Sequence, residues 1–197
     1  TKGYPGEYIE ITLSLRVLAD VGLVGLPNAG KSSLITSVSC ATPKIADYPF
    51  TTIRPHLGVV EVDTSFSFVM ADIPGIIAGA AQGQGLGIYF LKHLSRCKLL
   101  IHLVSLEHSC AEIIEDINGT EHELKQYDSK IMEKNILLVF SKSDLMPNSE
   151  AKELAEEVLE LLNKSEEKLR IISSHNHDGL QELVKEIAED LGGTEAF

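Results

Sequence analysis

The sequence predicts a three-layer α/β fold, a mostly parallel central sheet with helices on both faces. Two observations carry this. Short apolar runs alternate with amphipathic stretches of helix length along most of the chain, and strands joined through helices run parallel and bury both faces. A glycine-rich loop, Gly25-Leu26-Pro27-Asn28-Ala29-Gly30-Lys31-Ser32, sits between the first apolar run and the first helical stretch, at the kind of strand end where such folds bind ligands.

The elements follow in order. Residues 21–25 are a short apolar run ending in glycine, read as a buried strand, and 31–39 read as a helix with Leu34, Ile35 and Val38 on one side. Pro43, Pro49 and Pro55 and the lack of periodicity predict a loop over 40–57. Residues 57–62 and 66–71 read as two strands around a polar turn at 63–65. The glycine-rich stretch 72–85 predicts a mobile loop, 86–97 a helix and 99–105 a strand. Residues 110–130 predict an irregular helix broken at Asn118-Gly119. Then come a strand at 136–141, a helix at 149–163 with Leu154, Val158, Leu161 and Leu162 aligned, and a short strand at 169–172. The last helix is expected to start near Asp178, with Gln181 completing a capping box. Its apolar stripe is Leu180, Leu183, Val184, Ile187 and Leu191.

The chain of 197 residues, 44% hydrophobic and 23% charged, suits one domain with a real core, 19–192, and a short tail, 193–197. Residues 1–18 are set apart: Gly3, Pro5 and Gly6 precede an alternating run, read as a strand left from a preceding domain. The chain starts at Thr1 and reads as a fragment. A net charge of -12 argues against non-specific nucleic-acid binding. Three cysteines without a CxxC pair fit reduced thiols of the cytoplasm. No apolar run reaches membrane-spanning length and no signal region opens the chain, so no membrane partner is expected.

Residues 25–32 match G-x-x-x-x-G-K-[ST], the P-loop pattern. An unrelated chain of this length shows it roughly once in a hundred. Glycines let backbone N–H groups curl around phosphate oxygens, and the helix N-terminus behind adds positive partial charge. Lys31 is expected on the β/γ-phosphates, Ser32 on Mg²⁺, and Ser33 beside it in the cradle. Asp72-Ile73-Pro74-Gly75 ends a predicted strand forty residues after Ser32. There a carboxylate holds Mg²⁺ through water and the Gly75 N–H meets the γ-phosphate.

Thr51 and Thr52 lie in a loop that can complete the Mg²⁺ shell only with a triphosphate, and Thr52 is favoured. Phe50, Ile53 and Arg54 flank them and count among the nucleotide contacts. Lys31, Thr52 and Gly75 are the catalytic candidates, and Ser32, Thr52 and Asp72 the metal ligands. Ser141-Lys142-Ser143-Asp144 ends the 136–141 strand. A carboxylate there accepts both N1–H and the N2 amine of guanine, donors that adenine lacks, while the lysine stem lies across the base. Backbone N–H groups of Ser173, Ser174 and His175 are candidates for guanine O6.

Asn28 within GLPNAGKS, the run of residues 46–52 (ADYPFTT), residues 71–77 (ADIPGII) and residues 83–93 (GQGLGIYFLKH) together resemble an Obg-type GTPase. The likeness runs from about Gly3 to Leu191, and residues 3–18 resemble the end of that family's glycine-rich N-terminal domain. It implies a monomeric GTP/GDP switch acting in assembly of the large ribosomal subunit. Ser141 departs from the family's usual Asn, which braces the P-loop and the base, and Ser173-Ser174 from its Ser-Ala. Ile76 stands where Ras-like enzymes carry a water-orienting glutamine, as in the family, which implies slow hydrolysis, near or below ~10⁻³ s⁻¹. Related GTPases with Asn at the position of Asn28 bind K⁺ where an arginine finger would sit, which implies K⁺-stimulated turnover. Two other readings stand beside this one. One is a Walker-type ATPase or small-molecule kinase, which shares the cradle. The other is a sensor that binds guanine nucleotide and barely hydrolyses it.

Overall fold

The computed structural model of the chain describes residues 19–42, 44–45, 56–72, 94, 96–164 and 168–193. The expected strand within 1–18, the glycine-rich loop beyond Asp72 and most of the helix at 86–97 lie outside these residues. The elements are β1 (Val21–Val24), α1 (Lys31–Val38), β2 (Lys44–Ile45), β3 (His56–Glu61), β4 (Ser67–Asp72), β5 (Leu99–Ser105), α2 (Cys110–Tyr127), β6 (Asn135–Ser141), α3 (Asn148–Leu161) and α4 (Leu180–Asp190).

Among the described residues the sheet has six strands in the order β2-β3-β4-β1-β5-β6. β1 runs parallel to β4 and β5, and β5 to β6, while β2, β3 and β4 are antiparallel neighbours. The three-layer, mostly parallel α/β fold expected from the alternation is what the chain adopts. Each β5 residue is buried, and its side chains alternate between two cores. Leu99, Ile101 and Leu103 face α1 and α4, meeting Leu34, Ile35, Leu183 and Ile187. On the other face Leu100 packs with Leu124 and Ile131, and Val104 with Ile113, Ile117, Ala155 and Val158. Each fully buried Leu or Ile adds roughly 2 kcal/mol, so the two helical layers are held by their apolar stripes.

Four local expectations are corrected. Lys44 and Ile45, inside the expected proline-rich loop, form an edge strand on Leu57 and His56. Two residues are too short for any periodicity, and the partner strand alone decides their conformation. α2 runs unbroken through Asn118-Gly119. Both residues are exposed, and the ~1 kcal/mol that a mid-helix glycine costs is smaller than the burial of Ile113, Ile117 and Leu124. The helix is also started firmly, since the Ser109 N–H (2.9 Å) and hydroxyl (2.6 Å) both donate to the Glu112 carboxylate. Residues 169–172 make one bridge, Ile171 to Phe140, in place of a strand. α4 has no capping box at Asp178. The chain enters it through Gly179 at φ 69 with no side-chain cap, a left-handed conformation that suits glycine.

The parallel strands β4, β1, β5 and β6 all end on one edge. Leu23 pairs with Asp72, Val24 with His102, and Ser105 with Ser141. That register brings the 25–32 loop, Asp72 and Ser141 together.

Candidate functional site

The loop after β1 is shaped by its backbone. Gly25 has φ 137, and a Cβ there would lie 2.2 Å from the Leu103 carbonyl oxygen, so only glycine fits. Asn28 takes the left-handed conformation at φ 65. α1 begins after Gly30 with no side-chain cap, so the first N–H groups of the helix have no intrahelical partner. Free N–H groups and the positive helix end make an anion site. Lys31 donates from Nζ to the Gly25 (2.9 Å) and Leu26 (2.7 Å) carbonyls, folding across the loop mouth. Burial lowers its pKa, and Asp72 raises it in part. Lys31, Asn28, Ser32, Ser33 and Asp72 share the wall of a cavity of about 530 Å³.

Ser32 donates its hydroxyl to Asp72 Oδ2 at 2.6 Å across forty residues. Asp72 is 5% exposed, and its Oδ1 is buried with no hydrogen-bond partner. A buried carboxylate oxygen without a partner is costly. Beside a serine hydroxyl and an anion cradle, it has the donor chemistry of a hard divalent cation.

The end of the site at β6 is built from side chains. Ser141 is buried, and its hydroxyl lies 2.7 Å from the Ala29 carbonyl and 3.1 Å from that of Val104. The shortened residue therefore still ties β6 to the loop. Lys142 is left-handed at φ 62 and reaches Glu107 Oε2 at 2.5 Å. Ser143 is buried and begins a 3-10 turn through Leu145 that carries the exposed Asp144. The Ser143 N–H donates to the Ile172 carbonyl at 3.2 Å.

Ser173, fully buried, donates its hydroxyl to Asp144 Oδ1 at 2.6 Å and accepts from the Asn176 N–H. Its own N–H is already donated to Asp178 O at 3.0 Å. Ser173 therefore acts by orienting Asp144, and of the expected backbone donors only those of Ser174 and His175 are left for a ligand. Ser37 on α1 donates to the Ser174 carbonyl at 3.0 Å. Ser174, His175, Asp144 and Lys142 line a second cavity of about 270 Å³, which shares Gly30, Ser33 and Lys142 with the first.

Leu26, Pro27 and Ala29 close a third cavity of about 40 Å³ behind the loop, too small for a nucleotide, against His102 and Thr120. Phe50, Thr51, Thr52, Ile53, Arg54, Ile73, Pro74 and Gly75 lie outside the described residues. Two contributors escaped the sequence reading, Glu107 and Ser37. Neither sits in a motif. Only the adjacency of β5 to β6 and of α1 to the 173–175 turn reveals them.

The family described as 50S ribosome-binding GTPase matches residues 20–142. Among solved structures, the chain is similar to a variant of Era of Aquifex aeolicus bound to GDP·AlF4⁻. That match has 22% identity and a TM-score of 0.63, and covers 89% of this chain and 57% of that one. It is also similar to a mutant NFeoB of S. thermophilus bound to GDP, at 18% identity and a TM-score of 0.62, covering 91% and 65%. The G domain of the T. maritima FeoB iron transporter matches at 21% identity and a TM-score of 0.58, covering 87% and 97%. The chain thus spans less than two thirds of the Era and NFeoB chains. These likenesses establish the shared fold. The chain belongs to the 50S ribosome-binding GTPase family, and is a guanine-nucleotide-binding G domain with the P-loop GTPase fold.

Proposed function

We propose that this member of the 50S ribosome-binding GTPase family binds GTP with Mg²⁺, hydrolyses it slowly and acts as a switch in assembly of the large ribosomal subunit. The observation that carries the chemistry is the Ser32–Asp72 pair with its unpartnered Asp72 Oδ1. Ser32 and Asp72, with Thr52, are the residues that would hold Mg²⁺. When bound, the ion neutralises phosphate charge. The remaining contributions belong to the chain. Backbone N–H groups of residues 25–33 cradle the phosphates, and Lys31 swings from the loop carbonyls to the β/γ-phosphates. The Gly75 N–H meets the γ-phosphate. Asp144, oriented by Ser173, reads the guanine edge, and the stem of Lys142 covers the base. Ser174 and His175 supply N–H groups to O6.

The finer assignment, an Obg-type G domain, rests on residues 46–52, 71–77 and 83–93. In that reading 1–18 is the end of an Obg-type domain, 19–192 the G domain and 193–197 a tail. A monomer in the cytoplasm accords with it, and no described helix is long and apolar enough to cross a membrane. Ile76 offers no hydrogen bond to a water, which favours slow turnover and keeps a guanine-nucleotide sensor as the second reading. Asn28 lines the cavity, and a side-chain amide carbonyl is a suitable hard ligand for K⁺.

Calorimetric titration with GDP and with ADP, with and without Mg²⁺, tests the core of the proposal. Tighter GDP binding that needs Mg²⁺ and weakens in Asp72→Asn supports it, and equal ADP binding overturns it in favour of an ATPase. Single-turnover hydrolysis with excess protein separates enzyme from sensor. Equal rates in K⁺ and Na⁺ would remove the K⁺ element.

A further inference from the structure

Glu107 belongs to no motif, yet it lines the first cavity and holds Lys142, a residue that lines both. The register that pairs Ser105 with Ser141 sets Glu107, two residues past β5, beside Lys142, one residue past β6. Glu107 lines the phosphate-side cavity, while Lys142 lines both. Their charged ends meet at 2.5 Å. Lys142 also holds a left-handed backbone, a conformation that costs a non-glycine residue free energy and is kept where surroundings impose it.

We propose that Glu107 is a positioning residue for nucleotide binding, anchoring the Lys142 ammonium so that the lysine stem is a fixed apolar wall for the base. This rests on the guanine-nucleotide reading of the site. A lysine side chain has four rotatable bonds and loses much freedom when held in one place. A carboxylate gripping its far end removes that freedom before the ligand arrives, and preorganisation of this kind slows release. In the free protein the pair is partly exposed, with side chains 27% and 52% accessible for Lys142 and Glu107, so its contribution to folding is small. A nucleotide seated over Lys142 shields the pair from water, and the attraction strengthens there.

The test is release of fluorescent GDP from the full chain in a cycle of Glu107→Gln and Lys142→Met. Methionine keeps an apolar stem without the charge. Glu107→Gln alone should speed release by about fivefold, and added salt should speed the wild type toward the same rate. In the Lys142→Met background the same change should alter release by less than about twofold. Wild-type release rates in the single Glu107→Gln variant overturn the inference. So does an equal acceleration in both backgrounds, which would mean that Glu107 acts without Lys142. A wild-type chain that holds no GDP overturns the guanine reading itself and this inference with it.

Discussion

The two ends of the site are built in different ways. The proposed phosphate end is one stretch, residues 25–32, to which Asp72 is joined from β4. Its shape comes from backbone conformation, with Gly25 at φ 137 and Asn28 at φ 65. The proposed base end draws on four separated places: Ser37 on α1, Glu107 after β5, residues 141–144 from the last residue of β6 onward, and Ser173 before α4. Its shape comes from side-chain bonds that these places make, Ser173 to Asp144, Lys142 to Glu107, Ser37 to the Ser174 carbonyl, and Ser141 to the Ala29 carbonyl of the loop. A site made of backbone cannot change Gly25 without clash. A site made of side chains can exchange a residue and keep the bond, as Ser141 does where the resemblance leads one to expect Asn.

The largest effect that this contrast predicts is on Gly25. Gly25→Ala drives a Cβ against the Leu103 carbonyl at an unfavourable φ. Stability should fall by about 3 kcal/mol, lowering Tm by roughly 10 °C for a chain of this size. Thermal unfolding checks this, and an unchanged Tm would break the idea that backbone sets the phosphate end.

Next comes Asp144→Asn, which should weaken GDP by about a hundredfold, with affinity regained by xanthosine diphosphate. Its Tm should barely move, because Asp144 is exposed. Calorimetry with both nucleotides measures the first effect, and equal losses for the two would refute guanine readout by Asp144.

The third prediction probes the strand behind the phosphate loop. Burial pushes the His102 imidazole down to about 3, helped by Lys164 and Lys31. The unfolded chain, with an ordinary histidine, takes up a proton as pH falls below about 6.5, and the folded chain does not until near 3. Stability is therefore full above that range and lost as pH falls through it. Going from pH 7 to pH 5 should remove about 2 kcal/mol in urea titrations, and His102→Gln should remove most of that slope.

The smallest effect is at Ser141. Ser141→Ala leaves the Ala29 carbonyl without this donor and should cost about 1 kcal/mol of GDP affinity, seen as faster release. A loss as large as that of Asp144→Asn would mean that Ser141 touches the nucleotide itself.

The contrast between the two ends is also one of legibility. The cradle could be read from the chain because its residues are contiguous and their chemistry demands glycine, lysine and a hydroxyl at set spacings. The alternating fold could be read because burying a sheet on both faces demands apolar runs. What escaped depended on neighbours. The strand at Lys44 and Ile45 exists through pairing with His56 and Leu57. The helix crosses Asn118-Gly119 since Ile113, Ile117 and Leu124 hold it down. The capping box expected at Asp178 yields to a left-handed Gly179, whose conformation no side-chain pattern announces.

The amino-acid sequence by itself determined the alternation of strands and helices that gives the α/β fold and the pattern of the glycine-rich loop, and it named the groups that the proposal assigns to cation and base. Local periodicity and contiguous motifs carry that information. Tertiary structure alone decided that Asp72 keeps one oxygen unpartnered beside Ser32, that Ser173 aims Asp144, and that Glu107 grips Lys142. Each of these joins residues from different strands or turns, and only the register of the parallel strands, with the helices packed across them, brings such residues within hydrogen-bond reach.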